Sequence, residues 1–344
     1  MSKKHYFILG NGFSINLIER IGYNDKIDLR NLFKMGDKVS HPDDKNICLL
    51  SRRYCPDLWG LGARSTMSTQ QSNDLIRDII TSTNVYYLCV DDGARQNVLK
   101  DSTYYKAYCQ LISYLRNLFI YYNKLVSDDI LNEYTQADNS FITYVEHLIN
   151  NKEKVRIITY NYDIFLERML KLKGLQFKIA AFDNFDDSDS IVIYKPHGSI
   201  SFESKTKRMK GQPFNTEKDP LTSTIESVSN MTNNLDVKED NSNINAIIPP
   251  AGDGDRIDRG WSVDIRNSIQ QTLVSAEKDD NCLIYGISYD HVDRRELDKI
   301  ITHIPWDINI SYINPYPSPT FDMVLGSIFK NYSHYKDFYS EDKK

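Results

Sequence analysis

The sequence predicts an α/β fold: a Rossmann-like parallel sheet with crossover helices, plus a helical insertion after the first βα unit and no zinc module. Three observations lead there. Short apolar runs recur at 5–10, 155–158, 191–194, 246–248, 281–285 and 309–313. Several run into helical patterns, such as ELDKIITHI after the fifth, and that alternation belongs to parallel sheets joined by crossover helices. Helical periodicity then fills much of 73–150, between the first and second runs.

The first run, HYFILG, breaks on Gly10-Asn11-Gly12, and a helix is expected from 14 to 20. A strand, a glycine turn and a helix can present backbone N–H groups to a phosphate, or merely turn a corner. Residues 36–72, rich in Asp, Ser, Pro and Gly, read as an irregular surface insertion around Trp59-Gly60-Leu61-Gly62. In TYYKAYCQLISYLRNLFIYYNKLV, Ala107, Leu111, Tyr114, Leu118, Tyr122 and Leu125 recur at helical spacing, which predicts an amphipathic helix with a core stripe. A second helix is expected over 140–150. Val155–Thr159 is a strand, followed by Tyr160-Asn161-Tyr162-Asp163 and a helix that ends at Gly174. The polar stretch 203–245 reads as a flexible loop. The Tyr- and Lys-rich tail from Lys330 is expected to dock on a neighbour or to fray. We therefore expect a single domain over 1–344, with an insertion at 36–150.

Composition narrows the function classes. The chain has 344 residues, 40% hydrophobic and 26% charged, as folded proteins do. A net charge of −5 gives no general basic field, so nucleic acid is expected only indirectly. Five cysteines without a C-x-x-C pair fit a reduced cytoplasmic setting and argue against a four-cysteine zinc site. The histidines show no metal-ligand spacing. No run approaches about 18 uninterrupted apolar residues, so no membrane association is expected.

Ligands of open parallel sheets bind beyond the carboxyl ends of the strands. The residues there are Gly10-Asn11-Gly12-Phe13-Ser14, Thr159-Tyr160-Asn161-Tyr162-Asp163, Lys195-Pro196-His197-Gly198-Ser199, Pro249-Pro250-Ala251-Gly252, Gly286-Ile287-Ser288 and Asn314-Pro315. Each has a plain structural reading: Asp163 can cap the helix that follows it, and His197 can be a loop residue. Together they supply small residues, a carboxamide, an imidazole and hydroxyls.

The set GNGFS, TYNYD, KPHGS, YGIS and YINP, in that order, resembles the sirtuin-like NAD-binding family. Asn11 stands where the family usually has Ala, and the paired Cys-x-x-Cys elements that build the peptide groove of deacylase sirtuins are absent. The better resemblance is to the zinc-less prokaryotic sirtuin-like enzymes that hydrolyse NAD in anti-phage defence. It implies an NAD+ glycohydrolase that depletes NAD in abortive infection, with NAD+ as substrate and no metal. Asn161 and His197 are the implied catalytic residues. Gly10, Asn11, Gly12, Phe13, Ser14, Asp163, Gly286, Ser288 and Asn314 are the implied cofactor-binding residues. The resemblance also implies a homo-oligomer and a separate activating partner, such as a sensor or a HerA-type ring ATPase. An NAD-dependent protein deacylase and a non-catalytic NAD- or ADP-ribose-binding subunit are the alternatives.

Overall fold

A computed structural model describes residues 2–41, 44–88, 101–137, 140–207, 226–237, 243–249, 257, 260–289 and 294–338. Its strands, in chain order, are β1 (Lys4–Leu9), β2 (Ser40–His41), β3 (Asp44–Cys48), β4 (Lys154–Thr159), β5 (Lys178–Ile179), β6 (Ile191–Tyr194), β7 (Gly198–Lys207), β8 (Met231–Asn233), β9 (Asn243–Ile247), β10 (Asn281–Tyr285), β11 (Asn309–Ile313) and β12 (Asn331–Tyr335). Two compact units divide the chain. One comprises Met1–Gly22, Val126–Pro196 and Val263–Lys344; the other comprises Tyr23–Leu125 and His197–Ser262.

The first unit holds the expected Rossmann-like α/β sheet. Seven strands lie in the order β12-β11-β10-β1-β4-β6-β5, and each neighbouring pair is parallel. Strand β1 lies at the centre, and Tyr6, Phe7, Ile8 and Leu9 are at most 1% exposed. A strand buried on both faces is a continuous run of bulky apolar residues, and Tyr6–Leu9 is one. The helices Asp128–Thr135 and Phe141–Asn150, which the sequence assigns to the insertion, belong to this unit. Ser140 caps the second of them by accepting from the Thr143 N–H at 3.1 Å.

As far as Phe338 the tail is built into this unit, and 339–344 lie outside the described residues. Asn331–Tyr335 forms the parallel edge strand β12. Beyond it Phe338 packs on Phe141 and Tyr144 and stacks on Tyr285, with ring centroids 5.6–6.2 Å apart.

The second unit is built around the helix Thr103–Leu125. Ala107, Leu111, Tyr114, Leu118 and Tyr122 are all 0% exposed, as a core stripe requires. The helix is nevertheless not amphipathic in effect, because Gln110, Ser113, Arg116 and Asn117 are buried as well. It packs against the helices Pro56–Gly60 and Thr69–Leu88 and against β7 and β9. Its buried polar groups are bonded. Gln110 Oε1 accepts from the Asp57 and Leu58 N–H groups, both at 3.0 Å, and so caps the short helix from outside. Tyr114 Oη donates to the Leu32 carbonyl at 2.7 Å.

Two irregular stretches turn out to hold regular structure. The insertion 36–72 contains the β2–β3 hairpin and the helix Pro56–Gly60. The polar run 203–245, expected as a loop, includes the end of β7, all of β8 and most of β9, which form a three-stranded antiparallel sheet. Its residues 208–225 and 238–242 lie outside the described residues, as do 250–252 of the Pro-Pro-Ala-Gly segment. Among the described residues no helix is long and apolar enough to cross a membrane.

Candidate functional site

Because the strands of the first unit are parallel, β1, β4, β6, β10 and β11 end at the same edge of the sheet. From β1 the next strands in the chain build outward on one side through β4, and the later ones build on the other through β10. The order reverses between β1 and β10. A crevice at such a reversal, outside the carboxyl ends, is where open α/β sheets take ligands.

Gly10 and Gly12 sit at that point. The Gly10 N–H donates to the Tyr285 carbonyl and the Gly12 N–H to the Gly286 carbonyl, both at 2.9 Å. A Cβ on Gly12 would lie 2.5 Å from Gly286 Cα, and one on Gly286, where φ is +64°, would lie 2.5 Å from Gly12 Cα. The glycines thus let the loops after β1 and β10 touch backbone to backbone. The turn has this task apart from any phosphate, and the Gly12 N–H is already committed to it. The helix Asn11–Arg20 begins here with Gly10 as its N-cap and no side-chain cap, so the positive end of its dipole lies at the same sheet edge. Asn11 is exposed. Phe13 is 4% exposed and packs edge-on against Phe141 and Tyr285, which makes it a core residue.

The turn after β4 meets this helix. Asn161 Nδ2 donates to the Gly10 carbonyl and to Ser14 Oγ, both at 3.0 Å. Ser14 Oγ in turn donates to Asp163 Oδ2 at 2.8 Å. The other carboxylate oxygen, Asp163 Oδ1, accepts from the Phe165 N–H at 3.2 Å, so Asp163 also bonds the first turn of its own helix, as the plain reading expects. Burial pushes the Asp163 carboxyl above the usual carboxylate range, while the Lys195 cation and the Ser14 hydroxyl pull the other way.

Two members of this cluster escaped the sequence reading. Lys195 Nζ, at the end of β6, donates to the Asp163 carbonyl at 2.6 Å and to Glu167 Oε1 at 2.7 Å. The Lys195 and Glu167 side chains are each 1% exposed. A lysine at a strand end and a glutamate on a helix ordinarily read as solvated. The available signal was positional: Glu167 lies four residues after Asp163, and Lys195 heads the KPHGS motif.

On the other side of β1, Asn314 Nδ2 donates to the Ile287 carbonyl at 3.1 Å and to Tyr312 Oη at 2.9 Å. Asn314 therefore braces the loop that carries Gly286, and Ser288 in that loop is exposed. The first unit thus brings Gly10, Gly12, Ser14, Asn161, Asp163 and Gly286 into one bonded set, with Asn314 joined through Ile287. His197 belongs to the second unit, where it is 5% exposed and its carbonyl accepts from the Ile248 N–H at 2.9 Å. Among the described residues no cluster of His, Cys, Asp and Glu could hold a metal ion.

Residues 155–249 match the family model of the SIR2-like domain. That stretch runs from β4 through β9 and contains Asn161, Asp163, Lys195 and His197. The match supports a sirtuin-like family and, with it, an NAD-related role. No curated protein matches the chain.

Proposed function

We propose, taking this chain as sirtuin-like and its role as NAD-related, that it is an NAD+ glycohydrolase. Water adds at the anomeric carbon of the nicotinamide ribose, the C–N bond breaks, and nicotinamide, ADP-ribose and a proton leave. One observation carries the reading. The Asn161 carboxamide is fixed through its nitrogen by Gly10 and Ser14, and its oxygen accepts no bond among the described residues. An acceptor held still at a sheet reversal suits a ribose hydroxyl or an attacking water. Placement of that kind accounts for a large part of many enzymatic rate enhancements.

The other residues fit the same substrate. The helix Asn11–Arg20 offers the positive end of its dipole toward a pyrophosphate. Asp163 holds Ser14, and through it the orientation of Asn161. The resemblance also gives His197 a catalytic part, and general-base help from a side chain is worth about 10²–10⁴ in rate. The resemblance extends the reading to NAD depletion in anti-phage defence, by a homo-oligomer switched on by a sensor or a HerA-type ring ATPase.

Incubation of the protein with NAD+, with and without an acylated peptide, tests the activity. Nicotinamide release that needs no peptide is expected. Release that depends on the peptide would identify a deacylase, and binding of NAD+ without turnover by the activated assembly would identify a nucleotide-binding subunit; either overturns the proposal.

A further inference from the structure

The buried ion pair beside the Asn161 turn has no role in the chemistry just described. Lys195 leaves β6, Glu167 sits on the helix Phe165–Leu172, and Asp163 lies between β4 and that helix. One ammonium joins all three, through the Asp163 carbonyl at 2.6 Å and Glu167 Oε1 at 2.7 Å. The second oxygen, Glu167 Oε2, is buried without a hydrogen-bond partner.

Stability is a poor explanation for this pair. Taking two charges out of water is costly, and well-packed apolar residues of similar volume usually serve a fold as well or better. An apolar pair could not, however, donate to a backbone carbonyl. That second bond falls on Asp163, two residues from Asn161, whose side chain reaches Asn161 through Ser14.

We infer that Lys195 is a positioning residue: its ammonium, seated on Glu167, clamps the Asp163 carbonyl and so fixes the Asn161–Asp163 turn. Glu167 serves as the seat, supplying the counter-charge that lets a lysine stay buried there. The catalytic side of the inference rests on the glycohydrolase reading; the geometric side does not.

The test replaces the pair with apolar residues, in the double variant Lys195→Met, Glu167→Met. It is expected to fold but to melt somewhat below the wild type, because both partners of the ion pair leave together while the Asp163 carbonyl loses its donor. Two readouts then separate positioning from mere support. The Asn161 side-chain amide, followed as its 15N–1H resonance, is expected to shift and to exchange at least about tenfold faster. In NAD+ turnover kcat is expected to fall about tenfold to a hundredfold, with KM altered much less.

A folded double variant whose Asn161 resonance and exchange match the wild type overturns the inference. Failure of the wild type to consume NAD+ counts against the proposed function alone, and the resonance still decides the clamp. If the double variant does not fold, Glu167→Gln takes its place, being nearly the same shape with a weaker seat for the ammonium. An unmoved Asn161 resonance in that folded variant likewise overturns the inference.

Discussion

Ser14 Oγ donates to Asp163 Oδ2 at 2.8 Å across 149 positions of sequence, and the same oxygen accepts from Asn161 Nδ2 at 3.0 Å. Ser14 is therefore the joint between the helix that follows β1 and the turn that follows β4. Ser14→Ala leaves an Asn161 N–H and an Asp163 oxygen unpaired in a buried setting. We expect a loss of about 1–3 kcal/mol in urea unfolding. We also expect nicotinamide release to slow by at least about tenfold, because the carboxamide is no longer held.

The contact between the glycine loops predicts a graded response to added methyl groups. Gly12→Ala and Gly286→Ala each drive a Cβ to 2.5 Å from a backbone carbon. Each should cost about 3 kcal/mol or more, since backbone cannot step aside as a side chain can and Gly286, at φ +64°, bears the left-handed penalty as well. Gly22 is the control: at φ +71° it has no atom within 4 Å of its would-be Cβ. Gly22→Ala should cost only the left-handed backbone penalty, about 1–2 kcal/mol. Equal losses at all three positions in denaturant titrations would contradict the close approach.

Stability should fall on mild acidification because of His5. Burial is the main influence and lowers its pKa below the ordinary 6.5, outweighing the Glu153 carboxylate that raises it; Lys3 also lowers it and Asp280 raises it. The unfolded chain then binds the proton more readily than the folded one. The contribution is fully present above pH 6.5 and is lost as pH falls from there through the depressed folded value. His5→Gln should flatten that limb of the stability curve, measured by urea unfolding from pH 7.5 to 5.

Gln110 predicts a cost in the second unit. Its Oε1 is the acceptor for the Asp57 and Leu58 N–H groups. Gln110→Leu fills the same space but orphans both donors, and a loss of about 1–3 kcal/mol is expected. Amide exchange at Leu58 should rise with it.

How much of this was legible follows from what each residue shows to a sequence reader. Strands β1, β4, β6, β10 and β11 are buried and read as apolar runs. The edge strand β12, NYSHY, is largely exposed and carries no such run. The three-stranded sheet was half visible: the apolar run at 246–248 reads as a strand of the parallel sheet but falls at the end of β9, which pairs antiparallel with β7, and the polar strands β7 and β8 mimic a loop. In the helix Thr103–Leu125 the stripe was visible, but burial of Gln110 and Asn117 depends on neighbours distant in sequence. At the site, Gly10, Ser14, Asn161 and Asp163 could be picked out as strand-end residues. Phe13 could not be recognised as core without Phe141 and Tyr285 around it. Lys195 and Glu167 were missed because a buried pair of charges has no signature until both partners are placed.

Hydrolysis of NAD+, as proposed, depends on a fixed Asn161 carboxamide. The most direct test is the rate of nicotinamide release by Asn161→Ala beside the wild type, with folding checked by circular dichroism. A fall of about 10²–10³ in kcat with the fold intact is expected. A folded Asn161→Ala protein that releases nicotinamide as fast as the wild type would contradict it.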